Sequence, residues 1–267
     1  MVDILIFLTL GGVTGLLAGM FGIGGGSLLV PALIFIFRGM GFESAIVIYM
    51  AIGTSLASIF FSAISSAYSH HSKGSVEWNL VMPLSLGMFV GALIGSGYAT
   101  SLANDNLKLI ITIFLIVIGT EMIFGYTKLL ANMGQKEISL SKFTTPFHGA
   151  WIGALSAMIG IGGGSFTTPL MIGAGYNIRK GIGTAAACGV PIAIAGVLGY
   201  MYFGQTYSNL PSGATGFIFW PAVICISCAS ILTARAGANI SHSISEKKLK
   251  ALFGLFLIFI GVLVVLN

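Results

Sequence analysis

Charge is what this chain most lacks. Only 7% of its 267 residues are Asp, Glu, Lys or Arg, against roughly 25% in a soluble globular domain. Twelve basic and seven acidic side chains cannot furnish a water-exposed surface for a chain of this length, so a soluble domain is excluded. Disorder needs low hydrophobicity and high net charge; a mean hydropathy of +1.01 excludes it. Cysteine is also scarce. Cys188, Cys225 and Cys228 all lie in apolar runs, without the neighbours that a disulfide framework or a zinc site would need. The CxxC spacing of Cys225 and Cys228 therefore reads as two small packing residues. The net charge of +5 forms no basic stripe interleaved with aromatics, which speaks against a nucleic-acid partner. Met1-Val2-Asp3 has no basic n-region, and the apolar stretch behind it is too long for a signal-peptide core; it reads as a retained first span.

What is present is apolar and segmented. A bilayer span needs about 20 apolar residues at 1.5 Å rise. With breaks placed at charges, glycines and prolines, the first half yields apolar segments at about 4–22, 27–37, 43–69, 78–101 and 106–126. The second half yields 146–160, 165–175, 181–203, 215–235 and 248–266. Between them, residues 127–145 form a polar connector carrying Lys128, Lys136, Glu137 and Lys142. The expected class is an all-α polytopic membrane protein, divided into a first transmembrane repeat (1–126), the connector (127–145) and a second repeat (146–267).

The halves repeat each other in residues as well as hydropathy. At a constant offset of 138 positions, Gly11, Gly15, Leu17, Met20, the string Gly22 to Ser27, Pro31 and Ile34 all meet identical residues. Gly53-Thr54 faces Gly183-Thr184, and Pro83 faces Pro221. The chain reads as a tandem duplication of a unit of about 130 residues. Five segments per unit would invert the second copy relative to the first. Lys73, Lys128, Lys136, Lys142, Arg179, Lys180, Arg235, Lys247, Lys248 and Lys250 then share one side, and only Arg38 and Lys108 take the other. Basic loops are cytoplasmic, so the expectation is an inverted repeat in the cell membrane with both termini outside and the connector in the cytoplasm.

The sharpest motif is the duplicated helix breaker, Gly22-Ile23-Gly24-Gly25-Gly26-Ser27 and Gly160-Ile161-Gly162-Gly163-Gly164-Ser165. Each glycine costs a helix about 1 kcal/mol, so the backbone leaves helical geometry there. A half-helix is predicted to start near Ser27 and near Ser165, with the serine as a favoured N-cap and Pro31 or Pro169 in the first turn. A helix N-terminus carries about half a positive charge and unpaired N–H groups, and glycines let a ligand approach the backbone. Two such termini from inverted copies would converge near the midplane, as in many secondary transporters. The ligand expected there is a small anion. A tight hairpin with close packing is the alternative, but it does not account for the whole string occurring in both copies.

Several hydroxyls accompany the breakers. Thr54, Ser55 and Thr184 follow them in the next segments, and Thr167 with Thr168 replaces Leu29 and Val30 of the first copy. They could donate to an oxyanion, or bond back to their own helix carbonyls. The candidate substrate-binding set is Gly24, Gly25, Gly26, Ser27, Thr54, Ser55, Gly162, Gly163, Gly164, Ser165, Thr167 and Thr184. Glu121 is the one carboxylate inside a span and the candidate for proton coupling. The series Gly11/Gly15/Gly19, Gly87/Gly91/Gly95 and Gly149/Gly153 reads as helix packing. Hydrolysis by Ser27 or Ser165 would need a nearby base, and no His, Lys or acid lies at mid-depth. No catalytic residue, metal or cofactor is expected.

In the doubled string from Gly19 to Pro31, its copy ending at Pro169, and the Gly-Thr pair after each, the chain resembles the sulfite exporter TauE/SafE (TSUP) family over essentially its full length. The resemblance implies a polytopic carrier of sulfite, sulfoacetate or other sulfur-containing or organic anions, working by alternating access; an anion channel on the same fold is the competing expectation. The expected partners are a small anionic substrate and the lipid bilayer, with homodimerisation left open.

Overall fold

A computed structural model describes the chain except for residues 1, 22–25, 126–139, 141–143, 241–245 and 267. Most of the connector expected at 127–145, and both Gly24 and Gly25, thus lie outside the described residues. Ten helices are described. They are α1 (Val2–Phe21), α2 (Gly26–Gly39), α3 (Val47–Ser72), α4 (Trp78–Ser101), α5 (Asn104–Phe124), α6 (Thr144–Ile159), α7 (Gly164–Gly173), α8 (Ile178–Gly204), α9 (Trp220–Ile240) and α10 (Glu246–Leu266). A single two-residue hairpin, β1 (Ala214–Thr215) with β2 (Ile218–Phe219), pairs antiparallel before α9.

Helices dominate because a bilayer offers the backbone no hydrogen-bond partners, so each segment must satisfy its own amides. Four of them, α3, α4, α5 and α8, are apolar and long enough to cross a membrane by length and composition. The chain is an all-α polytopic membrane protein. Over their most apolar 18 residues α3 is 78% buried and α8 61%, against 50% for α4 and 44% for α5. The α3/α8 pair is therefore the centre, and α4 and α5 offer apolar faces to lipid. Met82, Leu86, Val90, Ile94 and Tyr98 make one such outward stripe on α4.

The opposite face of that helix carries glycines. Cβ atoms at Gly87, Gly91 and Gly95 would strike the backbone of Pro146, Ala150 and Ala154, and Cβ atoms at Gly149 and Gly153 that of Leu84 and Met88. Gly11 and Gly15 meet Ile226 and Ser230 in the same way. These small-residue series are packing seams, as their spacing predicts. The order of contacts also gives direction. α1 runs parallel to α9, and α4 parallel to α6. α3 runs antiparallel to α8, with Gly53 at Tyr200, Leu56 at Gly196 and Ala63 at Gly189. α5 runs antiparallel to α10, where Gly119 meets Gly254 and Thr112 Oγ1 donates to Gly261 O at 3.0 Å. Exchanging the two halves maps each of these pairings onto itself or onto another.

One predicted boundary moves. The apolar run expected to start a helix at 215 first forms the hairpin, because Gly213 (φ 88°) and Gly216 (φ 55°) turn the chain in the left-handed region. The helix then begins at Trp220, which places Pro221 in a first turn where its missing N–H costs nothing.

Candidate anion site at the helix breaks

The second break is described throughout. α6 ends at Ile159, and Gly160 turns left-handed at φ 80°. The amides of Gly160 and Ile161 both donate to Ser156 O, at 2.9 and 3.0 Å, which satisfies a carbonyl left over at the helix end. Gly163 then takes φ 74° and is the N-cap of α7. Its carbonyl accepts from Phe166 N (3.1 Å), Thr167 N (2.9 Å) and Thr167 Oγ1 (2.9 Å).

α7 starts near Ser165 as predicted, at Gly164, but two details differ from the sequence reading. The cap of α7 is Gly163 rather than Ser165. A left-handed backbone admits glycine at little cost, so glycine takes the corner and leaves the serine in the first turn. Pro31 and Pro169 each fall at the sixth helical position, beyond the first turn. Both helices stay short, about 21 and 15 Å at 1.5 Å per residue.

The start of α2 meets the second break. A Cβ on Gly26 would lie 2.9 Å from Gly160 O and 3.0 Å from Ile161 Cα, so the start of α2 rests on the backbone of the second break. Ser55 of α3 reaches the same place and donates its hydroxyl to Gly160 O at 2.8 Å. One on Gly189 of α8 would lie 3.1 Å from Gly162 O. Gly26, Ser55, Gly162, Gly163, Gly164, Ser165 and Thr167 thus belong to one neighbourhood between α2, α3, α7 and α8. Ser27 is buried in the first turn of α2.

Thr54 and Thr184 point elsewhere, and they do so reciprocally. Thr54 Oγ1 accepts from Phe219 N at 3.0 Å, just ahead of α9. Thr184 Oγ1 accepts from Glu77 N at 3.0 Å, just ahead of α4. The preceding glycines make this possible: Gly53 lies against Phe217 O and Gly183 against Ser75 O, where a Cβ would collide. Each Gly-Thr pair therefore clamps the segment entering the fourth helix of the other half. Both threonines are fully buried.

The two ends of the α3/α8 pair are finished differently. Beside Thr184, the Glu77 carboxylate accepts a charged hydrogen bond from Lys180 Nζ at 2.5 Å. Beside Thr54 there are rings: Phe37 stacks on Phe42 at 4.9 Å, and Phe219 meets Phe37, Phe42 and Phe7 at 5.7, 5.3 and 6.1 Å. Glu121 lies in the last turn of α5, whose end is closed by Gly125 N donating to Glu121 O at 2.7 Å. α5 packs chiefly on α10, and its Phe114 ring lies 5.5 Å from that of Phe166 on α7.

Sequence reasoning missed Ser156 and the Glu77–Lys180 pair. A signal for Ser156 existed, since Ala18 stands 138 positions before it. Nothing local announces Glu77 and Lys180 as partners, being 103 residues apart. Among the described residues no group of three or more His, Cys, Asp and Glu side chains could hold a metal ion.

Comparison with known proteins agrees with this architecture. The chain is 31% identical over 259 residues to a probable membrane transporter protein of Haemophilus influenzae, covering 97% of both chains. It is 26% identical over 266 residues to one from Methanocaldococcus jannaschii, covering 98% of this chain and 95% of the other. A third, from Bacillus subtilis, is 27% identical over 260 residues, covering 92% and 96%. No solved structure matches the chain significantly. Residues 7–264 match the family described as sulfite exporter TauE/SafE. With its apolar helices and that match over nearly its whole length, the chain belongs to the sulfite exporter TauE/SafE family and is a membrane transporter, not an enzyme.

Proposed function

We propose that the protein is a secondary transporter that moves small sulfur-containing anions, such as sulfite or organosulfonates like sulfoacetate, across the cytoplasmic membrane by alternating access. The observation that carries this reading is the packing of the start of α2 on the second break, with Gly26 against Gly160 and Ile161. A helix N-terminus in the interior, as at the start of α7, presents unpaired amides and partial positive charge without a buried cation. Such a site binds an anion weakly enough to release it, as a carrier must.

Inverted copies, the symmetry that alternating access uses, are supported by the antiparallel courses of α3 against α8 and α5 against α10. The two finishes of the central pair supply a different closure at each end, an ion pair and a cluster of rings. In this reading the end holding Glu77, Arg179 and Lys180 faces the cytoplasm.

The test is uptake of labelled sulfite, sulfoacetate and sulfate into proteoliposomes, with and without a pH gradient. Saturable flux of sulfite or sulfoacetate supports the proposal. No flux of any of the three removes the substrate assignment, and single-channel currents would make the protein a channel.

A further inference from the structure

We infer that the anion occupies one asymmetric site at the second break, where Ser156 and Ser165 donate to it together with the first amides of α7, and that the start of α2 is its structural support. The inference rests on the anion reading above and narrows it to named donors.

Hydrogen counting carries it. An oxyanion accepts, and a hydroxyl has a single hydrogen to give. Ser55 gives its hydrogen to Gly160 O, and Thr167 gives its own to Gly163 O. Neither has a hydrogen left for a ligand. Ser156 Oγ and Ser165 Oγ are both buried, and neither has a partner. Ser156 is wholly enclosed, at 0% exposure. Its hydroxyl faces the N-cap of α7, since a Cβ on Gly163 would sit 3.4 Å from the Oγ atom.

Buried polar atoms are nearly always hydrogen-bonded, so two idle hydroxyls at one helix start call for a partner. The amides of Gly164 and Ser165 in the first turn of the ten-residue α7 have no intrahelical acceptor, because the first carbonyl bonds run from Phe166 and Thr167. Four donors thus gather where helix polarity favours negative charge. The first copy lacks this set. It has Ala18 for Ser156, Leu29 for Thr167 and Val30 for Thr168, and the start of its half-helix is packed against Gly160.

The test uses the full-length protein in detergent, with the thermal midpoint followed during titration with sodium sulfite and, separately, sodium sulfoacetate, against sodium chloride at equal ionic strength. The wild type is expected to gain stability with one of the two anions. Ser156→Ala and Ser165→Ala should each weaken that anion's apparent affinity roughly ten- to one-hundredfold, as loss of a hydrogen bond to a charged group does. Ser27→Ala should change it by less than about twofold. The anion-free midpoint of Ser156→Ala should not fall, because the hydroxyl has no protein partner to lose. Three results would overturn the inference: Ser156→Ala titrating like the wild type, Ser27→Ala losing as much as Ser165→Ala, or no response of the wild type to either anion. Flux in proteoliposomes separates it from the transporter reading. Sulfite transport that is indifferent to Ser156 sinks only the inference, whereas binding that depends on Ser156 without flux sinks only the transporter.

Discussion

Replacing Thr54 by Val decides whether the buried Gly-Thr threonines are scaffold or ligands. The two side chains have nearly the same shape, so packing is kept and only the hydroxyl is lost. Thr54 is fully buried and accepts from Phe219 N at 3.0 Å. After the change that amide has no acceptor. An unsatisfied buried donor costs about 1–3 kcal/mol. At roughly 2–4 °C per kcal/mol for a domain of 150–250 residues, the thermal midpoint of the detergent-solubilised protein should drop by several degrees. Thr184→Val should drop it less, because the bond from Glu77 N is only part-buried and water can replace the hydroxyl. Anion affinity, read from the titration midpoint, should stay within about twofold in both variants. The reasoning is refuted if Thr54→Val leaves the midpoint unchanged, or if it weakens anion binding tenfold while stability holds; the hydroxyl would then be a ligand and not a clamp.

Other perturbations address the breaks, the seams and the two ends. Gly163→Val forces a branched side chain into φ 74° and against Ile192; flux should be lost by more than about tenfold, checked in proteoliposomes at matched protein content. Gly91→Val would drive a side chain into the Ala150 backbone, separating α4 from α6, and should abolish a monodisperse peak in size-exclusion chromatography. Glu77→Gln breaks the ion pair with Lys180. A partly exposed pair adds little to stability, so the thermal midpoint should hold, while a cysteine placed at Ser75 in a background free of Cys188, Cys225 and Cys228 should react faster with an impermeant thiol reagent. Glu121→Gln should remove the pH-gradient dependence of flux if that carboxylate carries the coupled proton; unchanged dependence would assign coupling elsewhere.

Sequence and structure each decided what their reach allows. Membrane residence follows from composition, and the helical segments follow from apolar run length, because both are local or summed quantities. Thus 78–101 is read as a segment and α4 is Trp78–Ser101. The second helix break is equally legible, since the cost of consecutive glycines belongs to those residues alone. The cap was misread as Ser165 because the choice between serine and glycine depends on a left-handed φ at Gly163, a turn geometry that composition does not display. The hairpin before α9 was missed for a like reason, as Gly213 and Gly216 interrupt an otherwise apolar run.

Which hydroxyl serves what was decided only by the tertiary structure. Thr54 and Ser55 are neighbours in the chain, yet one receives an amide 165 residues away and the other bonds a carbonyl 105 residues away. Helix faces diverge by 100° per residue, so the register of packed helices assigns such partners, and the glycine seams set that register. Ser156 gained its significance in the same way. By sequence it is one serine in an apolar helix, while the fold leaves it buried, unpaired and facing the start of α7.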